Sequence, residues 1–318
     1  MNLAEELLKA FEGFRSAHGQ TEVSAQRTAG KQKAKSYIVR NPLTLELMQR
    51  HIDGKQGVGA IPINEDNKCK FGALDIDQYP LDHNELIDKL EKFNVPCIVC
   101  RSKSGGAHIF FFFEEWMNAS DFRDKAAEIS AALGHGRCEI FPKQEQVLVE
   151  RGDVGNFINL PYFDSEQTFR YAILKEEGTY KEASLQEFIE EIQKVKTKPK
   201  DFLKIPIGGA VELYPNYVPC LRSLISMGIF EGGRNRAAFH LGVFLQKAFP
   251  QDWKSKLEEH NAKDFTPPLT ASEVVAIQNT LEKKEYNYLC KEEPMSSHCN
   301  QSVCRTMKHG IGVGSMPT

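Results

Sequence analysis

No run of eighteen apolar residues occurs in the 318-residue chain, which excludes a membrane-spanning helix of ordinary length. The stretch Met1 to Phe11 lacks the basic start and apolar core of a secretory signal and reads as an acidic amphipathic helix. The eight cysteines suit a reducing compartment, so the expected location is the cytoplasm, with no membrane partner. Positive charge is not in excess either, since the formal charge is -3. Any hold on nucleic acid must come from local patches such as Lys31 to Lys35 and Lys194 to Lys204. A phosphate-binding loop of the G-x-x-x-x-G-K-S/T type is absent, so unwinding of a duplex is left to a separate helicase. The C-terminal cysteines contain no C-x2-C pair, which speaks against a zinc ribbon.

What is present centres on Phe71 to His108. Leu74-Asp75-Ile76-Asp77 places two carboxylates at i and i+2, on the same side of a strand and about 7 Å apart. Parallel carboxylates repel unless a cation lies between them, and hard divalent ions take oxygen ligands of this kind beside substrate phosphates. After an amphipathic helix, Asp82 to Asn94, the strand at Val95 to Cys100 ends in Ser104-Gly105-Gly106-Ala107-His108. Two glycines allow a backbone to approach a phosphate closely, with Ser104 and His108 flanking the bend. The spacing suggests that the two motif strands lie side by side through a β-α-β crossover. Asn64 to Lys68 reads as a polar turn, Ser120 as the cap of a helix to Leu133, and Cys138 to Phe141 as a strand returning beside the aspartates.

Residues 2–17 fit one helix and 18–36 read as a loop or a second short helix. Thr44 to His51 reads as a helix before a strand at Gly57 to Ile63, with His51 either a capped helix end or a substrate contact. The Lys/Pro-rich run near 196–208 reads as a linker after a helix at Ser184 to Val195. Helices then dominate: Leu221 to Met227, Arg234 to Phe249, Trp253 to His260 and Ala271 to Lys283. Cys220, Cys290, Cys299 and Cys304 form a thiolate set that suits an iron–sulfur cluster or zinc, with His298 and His309 as alternative zinc ligands. Cys69, Cys97, Cys100 and Cys138 fall in strands and read as core residues.

The D-I-D pair followed by S-G-G-A-H-I-F-F-F resembles the first two motifs of the archaeo-eukaryotic primase superfamily. Arg137-Cys138-Glu139-Ile140-Phe141-Pro142-Lys143-Gln144 is similar to the E-I/V-F-P-K-Q segment of its phage and mobile-element members, where the acid is the third metal ligand. Gly155-Asn156-Phe157-Ile158-Asn159-Leu160-Pro161-Tyr162-Phe163 resembles another segment of the same group. The match covers roughly residues 36–165. It implies an α+β fold: an RRM-like primase-polymerase catalytic sheet with flanking helices over 1–195, a linker over 196–208, and a mainly α-helical cysteine-ligated domain over 209–318. Asp75, Asp77 and Glu139 would then hold Mg²⁺ or Mn²⁺. Arg101, Ser104, Gly105, Gly106, His108, Lys143, Asn156 and Asn159 would contact the nucleotide. The second half resembles the iron–sulfur domain of the primase large subunit, which implies a 4Fe–4S cluster (or Zn²⁺) on Cys220, Cys290, Cys299 and Cys304. The same likeness gives Arg234, Asn235, Arg236 and His240 a role in template and initiation contacts, with Arg222 and Lys247 weaker candidates.

The expected function is a primase-polymerase that starts primers on single-stranded DNA from NTP or dNTP, working beside a replicative helicase in the cytoplasm (of a host, if phage-encoded). The alternatives are a non-catalytic nucleic-acid-binding replication protein and a repair polymerase that only extends ends. Retention of all three acids favours the enzyme, and the cysteine domain favours initiation over extension alone.

Overall fold

The computed structural model describes residues 2–28, 31–207 and 217–311, without the side chains of 23–28, 31–34 and 230. Two compact units emerge: Met1–Ala126 with Cys138–Ile205, and Ala127–Arg137 with Pro206–Thr318. The sequence led us to expect a continuous first domain over 1–195, but residues 127–137 group with the second unit. Residue 208 of the expected linker and 209–216 of the following domain lie outside the described residues, as do most side chains of the Lys31 to Lys35 patch.

The first unit opens with α1 (Leu3–Ala10), where the Asn2 side chain accepts hydrogen bonds from the Ala4 and Glu5 amides. The helix stops well short of residue 17. A Cβ on Gly13 would lie 2.0 Å from the Ile61 carbonyl, so the chain leaves the helix to run backbone against backbone there. Residues 18–36, expected as loop or helix, belong instead to a hairpin of β1 (His18–Thr28) and β2 (Lys31–Val39). Polar residues on both of its faces hide the strand pattern. A helix α2 (Leu45–Ile52) and strands β3 (Gly57–Ala60) and β4 (Lys68–Ile76) follow, then α3 (His83–Lys92), capped by Asp82. Next come β5 (Ile98–Arg101), β6 (Ala107–Asn118), α4 (Ala119–Ala132), β7 (Glu139–Phe141), β8 (Ile158–Asn159) and α5 (Ser165–Thr168). Ser120 lies inside α4 rather than capping it. The unit closes with β9 (Ala172–Glu176), β10 (Thr179–Glu182), α6 (Leu185–Val195) and α7 (Pro199–Leu203).

Four strands form one antiparallel sheet in the order β2-β1-β3-β8 and six form another in the order β10-β9-β5-β6-β4-β7. The expected side-by-side crossover is not formed, because β6 inserts between β5 and β4 and pairs with both. On one face of the larger sheet Phe71, Ala73, Phe110 and Phe112 pack with Phe11, Phe188, Val58 and Ile158. On the other, Phe111 and Phe113 meet Phe122 of α4 and Phe202 of α7 edge-on. Burial of Phe202 explains why the Lys/Pro-rich run is no free linker: α7 is stapled to the sheet by one ring.

The second unit is mainly helical: α8 (Pro219–Met227), α9 (Arg234–Ala248), α10 (Trp253–Asp264), α11 (Ala271–Leu281) and α12 (Gln301–Thr306). A short parallel pair, β11 (Ile229–Phe230) and β12 (Phe265–Thr266), ties it together. Leu241, Phe244 and Leu245 of α9 are fully buried against Leu257 and Leu281, which makes α9 the central helix. The chain is thus an α+β protein. No helix among the described residues is long and apolar enough to cross a membrane.

Candidate active site

Strand register sets the site. Asp75 on β4 stands opposite His108 of β6 on one side and Glu139 of β7 on the other. His108 in turn faces Cys100 of β5, and Cys100 faces Ala172 of β9. Directly opposed residues in antiparallel strands point to the same face, with Cβ atoms about 5 Å apart. One row across five strands therefore reads Glu139, Asp75, His108, Cys100, Ala172.

Asp75 and His108 are largely buried, with side-chain exposures of 18% and 16% and 3.3 Å between Oδ1 and Nε2. The contact is not aligned as a hydrogen bond, and Asp75 Oδ1 is buried without a donor. Such an oxygen is costly unless something positive reaches it. Carboxylate oxygens suit a hard divalent cation, so the chemistry of Asp75 fits the expected Mg²⁺ or Mn²⁺. The other two acids are held elsewhere. Exposed Glu139 pairs with Lys143 at 2.7 Å, and Asp77, just past the end of β4, accepts a hydrogen bond from the Tyr79 hydroxyl at 2.8 Å. Among the described residues no three His, Cys, Asp or Glu side chains converge as a metal-ligand group.

The turn from Ser102 to Gly106 closes on itself: the Ser102 amide donates to Gly106 O and the Gly105 amide to Ser102 O. Gly105 has φ +94°, and a Cβ on Gly106 would lie 2.2 Å from the Ile76 carbonyl, so both positions require glycine. The Gly105 amide is therefore committed to the turn and does not cradle a phosphate as expected. Two supports went unread in the sequence. His83 Nε2 donates to the Gly106 carbonyl at 3.0 Å, and the Tyr79 hydroxyl hydrogen-bonds Ser104 as well as Asp77. Burial, then the Asp77 contact, holds the Tyr79 phenol above its usual range.

The remaining nucleotide candidates divide. Arg101 lies over the Phe169 ring at 5.5 Å, and Lys143 over Phe141 at 5.0 Å. Asn156 is clasped by Gln144 through both its side chain and its amide, and Asn159, on the smaller sheet, accepts from the Thr21 hydroxyl at 2.7 Å. Neither asparagine stands in the row. His51 is fully buried, taking the Val58 amide on Nδ1 and donating from Nε2 to Pro161 O, which is a structural tie rather than a helix cap or a substrate contact.

In the second unit Arg234 donates to the carbonyls of Pro267 and Pro268, and Asn235 hydrogen-bonds Glu273. His240 is 1% exposed, with burial holding its pKa down to about 4. Buried His240 serves the fold rather than an initiation contact, while half-buried Arg234 and exposed Asn235 hold partners within the unit. Arg236, beside Glu292 and Glu293, and Arg222 stay exposed. Cys220, Cys290, Cys299 and Cys304 lie near enough that the other three thiols add to the burial that pushes Cys220 up, and burial lifts Cys290 to about 11. The cysteine sulfurs are chemically suited to a thiolate-held metal, but among the described residues no three of the four converge as a ligand group.

With this geometry in place, comparison with known proteins decides the family. The model of the archaeo-eukaryotic primase domain of TOTE conflict systems matches residues 10–201, well over half of the chain. The chain belongs to this archaeo-eukaryotic primase family. The primase domain takes in the whole row from Glu139 to Ala172 and the S-G-G turn. A solved structure of the primase RepB' aligns over 94% of this chain and 91% of that chain at 13% identity, with a TM-score of 0.29, too low to carry an argument. No curated protein matches.

The His51 tie gives a pH test within the primase domain. Burial holds its pKa down to about 4, against 6.5 when free. The unfolded chain therefore binds the extra proton, and stability present above pH 6.5 falls as pH drops toward 4, by roughly 3 kcal/mol at full extent. Thermal unfolding against pH should show a flatter curve for His51→Gln than for wild type in that window. Parallel curves would show that His51 is not held neutral.

Proposed function

We propose that the chain is a DNA primase-polymerase that builds primers on single-stranded DNA from NTP or dNTP by nucleotidyl transfer. The observation that carries the reading is the buried, donor-less Oδ1 of Asp75, flanked across the strands by His108 and Glu139. Membership of the primase family supports it. Asp75, Asp77 and Glu139 would hold Mg²⁺ or Mn²⁺, which when bound acidifies the attacking 3′-hydroxyl and offsets charge on the departing pyrophosphate. Tyr79 links Asp77 to Ser104, so the acidic strand end and the glycine turn move as one piece. His108, its ring edge-on against Phe110, would donate to a phosphate oxygen beside Asp75. Lys143, paired with Glu139, would exchange that partner for a phosphate. A separate helicase would supply template.

In a primer-synthesis assay on single-stranded DNA with Mg²⁺ or Mn²⁺, the wild type should make dinucleotides and longer products. Asp75→Asn and Asp77→Asn should each lose about 10³-fold in rate while template binding persists. Extension of annealed primers without dinucleotides would leave an end-extending polymerase; no incorporation at all would leave a nucleic-acid-binding protein.

We further propose that Cys220, Cys290, Cys299 and Cys304 hold a 4Fe–4S cluster or zinc in a domain that aids initiation. The support is that all four fall in the second unit, Cys220 and Cys304 buried and Cys290 and Cys299 half-buried, near enough that the other three add to the burial that raises the Cys220 thiol. Anaerobically purified protein should carry about four irons with sulfide, or one zinc, per chain, and lose them in Cys220→Ser. Metal-free protein with intact thiols would refute the site.

A further inference from the structure

The strand that carries Glu139 is weakly held by its own sheet. β7 is three residues long, lies at the sheet edge and pairs with β4 alone among the described strands. Buried Phe141 anchors its far end in the apolar core, while Glu139 at the near end is exposed. So short an edge strand has few ladder bonds, and the position of Glu139 depends on how the chain entering it is held.

That chain leaves α4 through a glycine cap. Gly134 has φ +84°, its amide donates to Ala131 O at 3.1 Å, and the His135 amide donates to Ser130 O at 2.8 Å. This pair of bonds closes a helix end and turns the chain sharply. A further tie comes from far along the sequence: buried His298 donates from Nδ1 to the same Ala131 carbonyl at 2.7 Å. The Gly136 amide then donates to Ser297 O at 2.5 Å. A Cβ on Gly136 would lie 2.8 Å from both the Ser297 and Cys299 carbonyl oxygens, so backbone meets backbone with no room for a side chain. Arg137 donates to Lys291 O at 3.3 Å. Residues 131–137 and 291–299 all belong to the second unit, and only Cys138 separates Arg137 from Glu139.

The gripping loop is itself stiff. Glu293 accepts hydrogen bonds from the Ser296 and Ser297 hydroxyls, Met295 is buried in the helical core, and Asn300 caps α12 through the Val303 amide. It presents fixed acceptors to the strand entry instead of adapting to it. His298, a zinc alternative in the sequence, commits its Nδ1 to the α4 carbonyl.

We propose that loop 291–299 is a positioning element for Glu139: by fixing Gly136 and Arg137 it sets where β7 begins and keeps the acid opposite Asp75. This rests on the reading of Glu139 as a cation ligand, and adds positioning residues from outside the matched primase domain. Gly136 and His298 act through Glu139, not on substrate. A displacement at Gly136 has only Arg137 and Cys138 in which to be absorbed before it reaches Glu139, and a ligand carboxylate tolerates little misplacement.

The test is Mn²⁺ binding to the full chain by electron paramagnetic resonance, for Gly136→Ala, Glu139→Gln and the double variant. Each single variant should weaken Mn²⁺ by about tenfold. In the double variant Gly136→Ala should add no further loss, because its effect runs through the side chain already removed. Losses that multiply would show that Gly136 acts by another route and would overturn the positioning role. Unchanged binding in Gly136→Ala beside a weakened Glu139→Gln would overturn it too, and leave Glu139 standing as a ligand. If Gly136→Ala does not fold, Arg137→Met, at an exposed side chain, takes its place in the same cycle. Loss of positive charge alone would tighten Mn²⁺ there, so weakened binding supports the proposal and unchanged or tighter binding overturns it. Mn²⁺ affinity untouched by Glu139→Gln would instead defeat the reading of Glu139 as a ligand, and the proposal with it.

Discussion

One unsatisfied carboxylate oxygen governs the primase domain of this protein. Asp75 Oδ1 is buried at the end of the central antiparallel ladder with no hydrogen to accept. Folding does not tolerate such an atom without cause, because burying an unpaired acceptor costs on the order of 1–3 kcal/mol and a charged one more. The cost is met by the apolar packing behind it, where Phe71, Phe110 and Phe112 lock β4 to β6 against Phe11 and Phe188. The sheet therefore works as a clamp. It keeps His108 and Glu139 in register with Asp75 whether or not a cation is present to satisfy the oxygen.

The rim of the clamp is adjustable in a way its base is not. Glu139 and Lys143 satisfy one another, and Tyr79 satisfies Asp77, through exposed contacts that water screens and that substrate can replace at little cost. At the base, Gly106 touches the Ile76 carbonyl and His83 holds the Gly106 carbonyl from α3, so the turn cannot shift without moving β4 itself. Pre-set geometry below and exchangeable partners above are what a site needs if charge is to be met by fixed groups as the reaction proceeds.

The sequence makes the chemistry of this site more legible than its carpentry. D-I-D, S-G-G-A-H and the Glu139 segment are readable because a few polar residue types stand at fixed spacing among apolar ones, and the structure sets Asp75, His108 and Glu139 in one row. Pairing is less legible. Nothing local in Ala107 to Phe113 says that β6 inserts between β5 and β4, because a uniformly apolar strand fits a central place beside either neighbour. The β1–β2 hairpin escapes notice because its sequence is polar on both faces, and α7 because one phenylalanine, Phe202, outweighs the lysines and prolines around it. Arg170 is the sharpest case: a charged residue after a turn looks like surface, yet it is 7% exposed.

The central claim is that Asp75 awaits a cation, and the most direct measurement is Mn²⁺ binding to the full chain by electron paramagnetic resonance. The account predicts that wild-type protein takes up Mn²⁺ and that Asp75→Asn loses this binding by about tenfold or more, since the neutral amide cannot replace the buried carboxylate as an anionic ligand. Equal Mn²⁺ binding by wild type and Asp75→Asn would contradict it, and would leave the row at β4, β6 and β7 as a structural feature only.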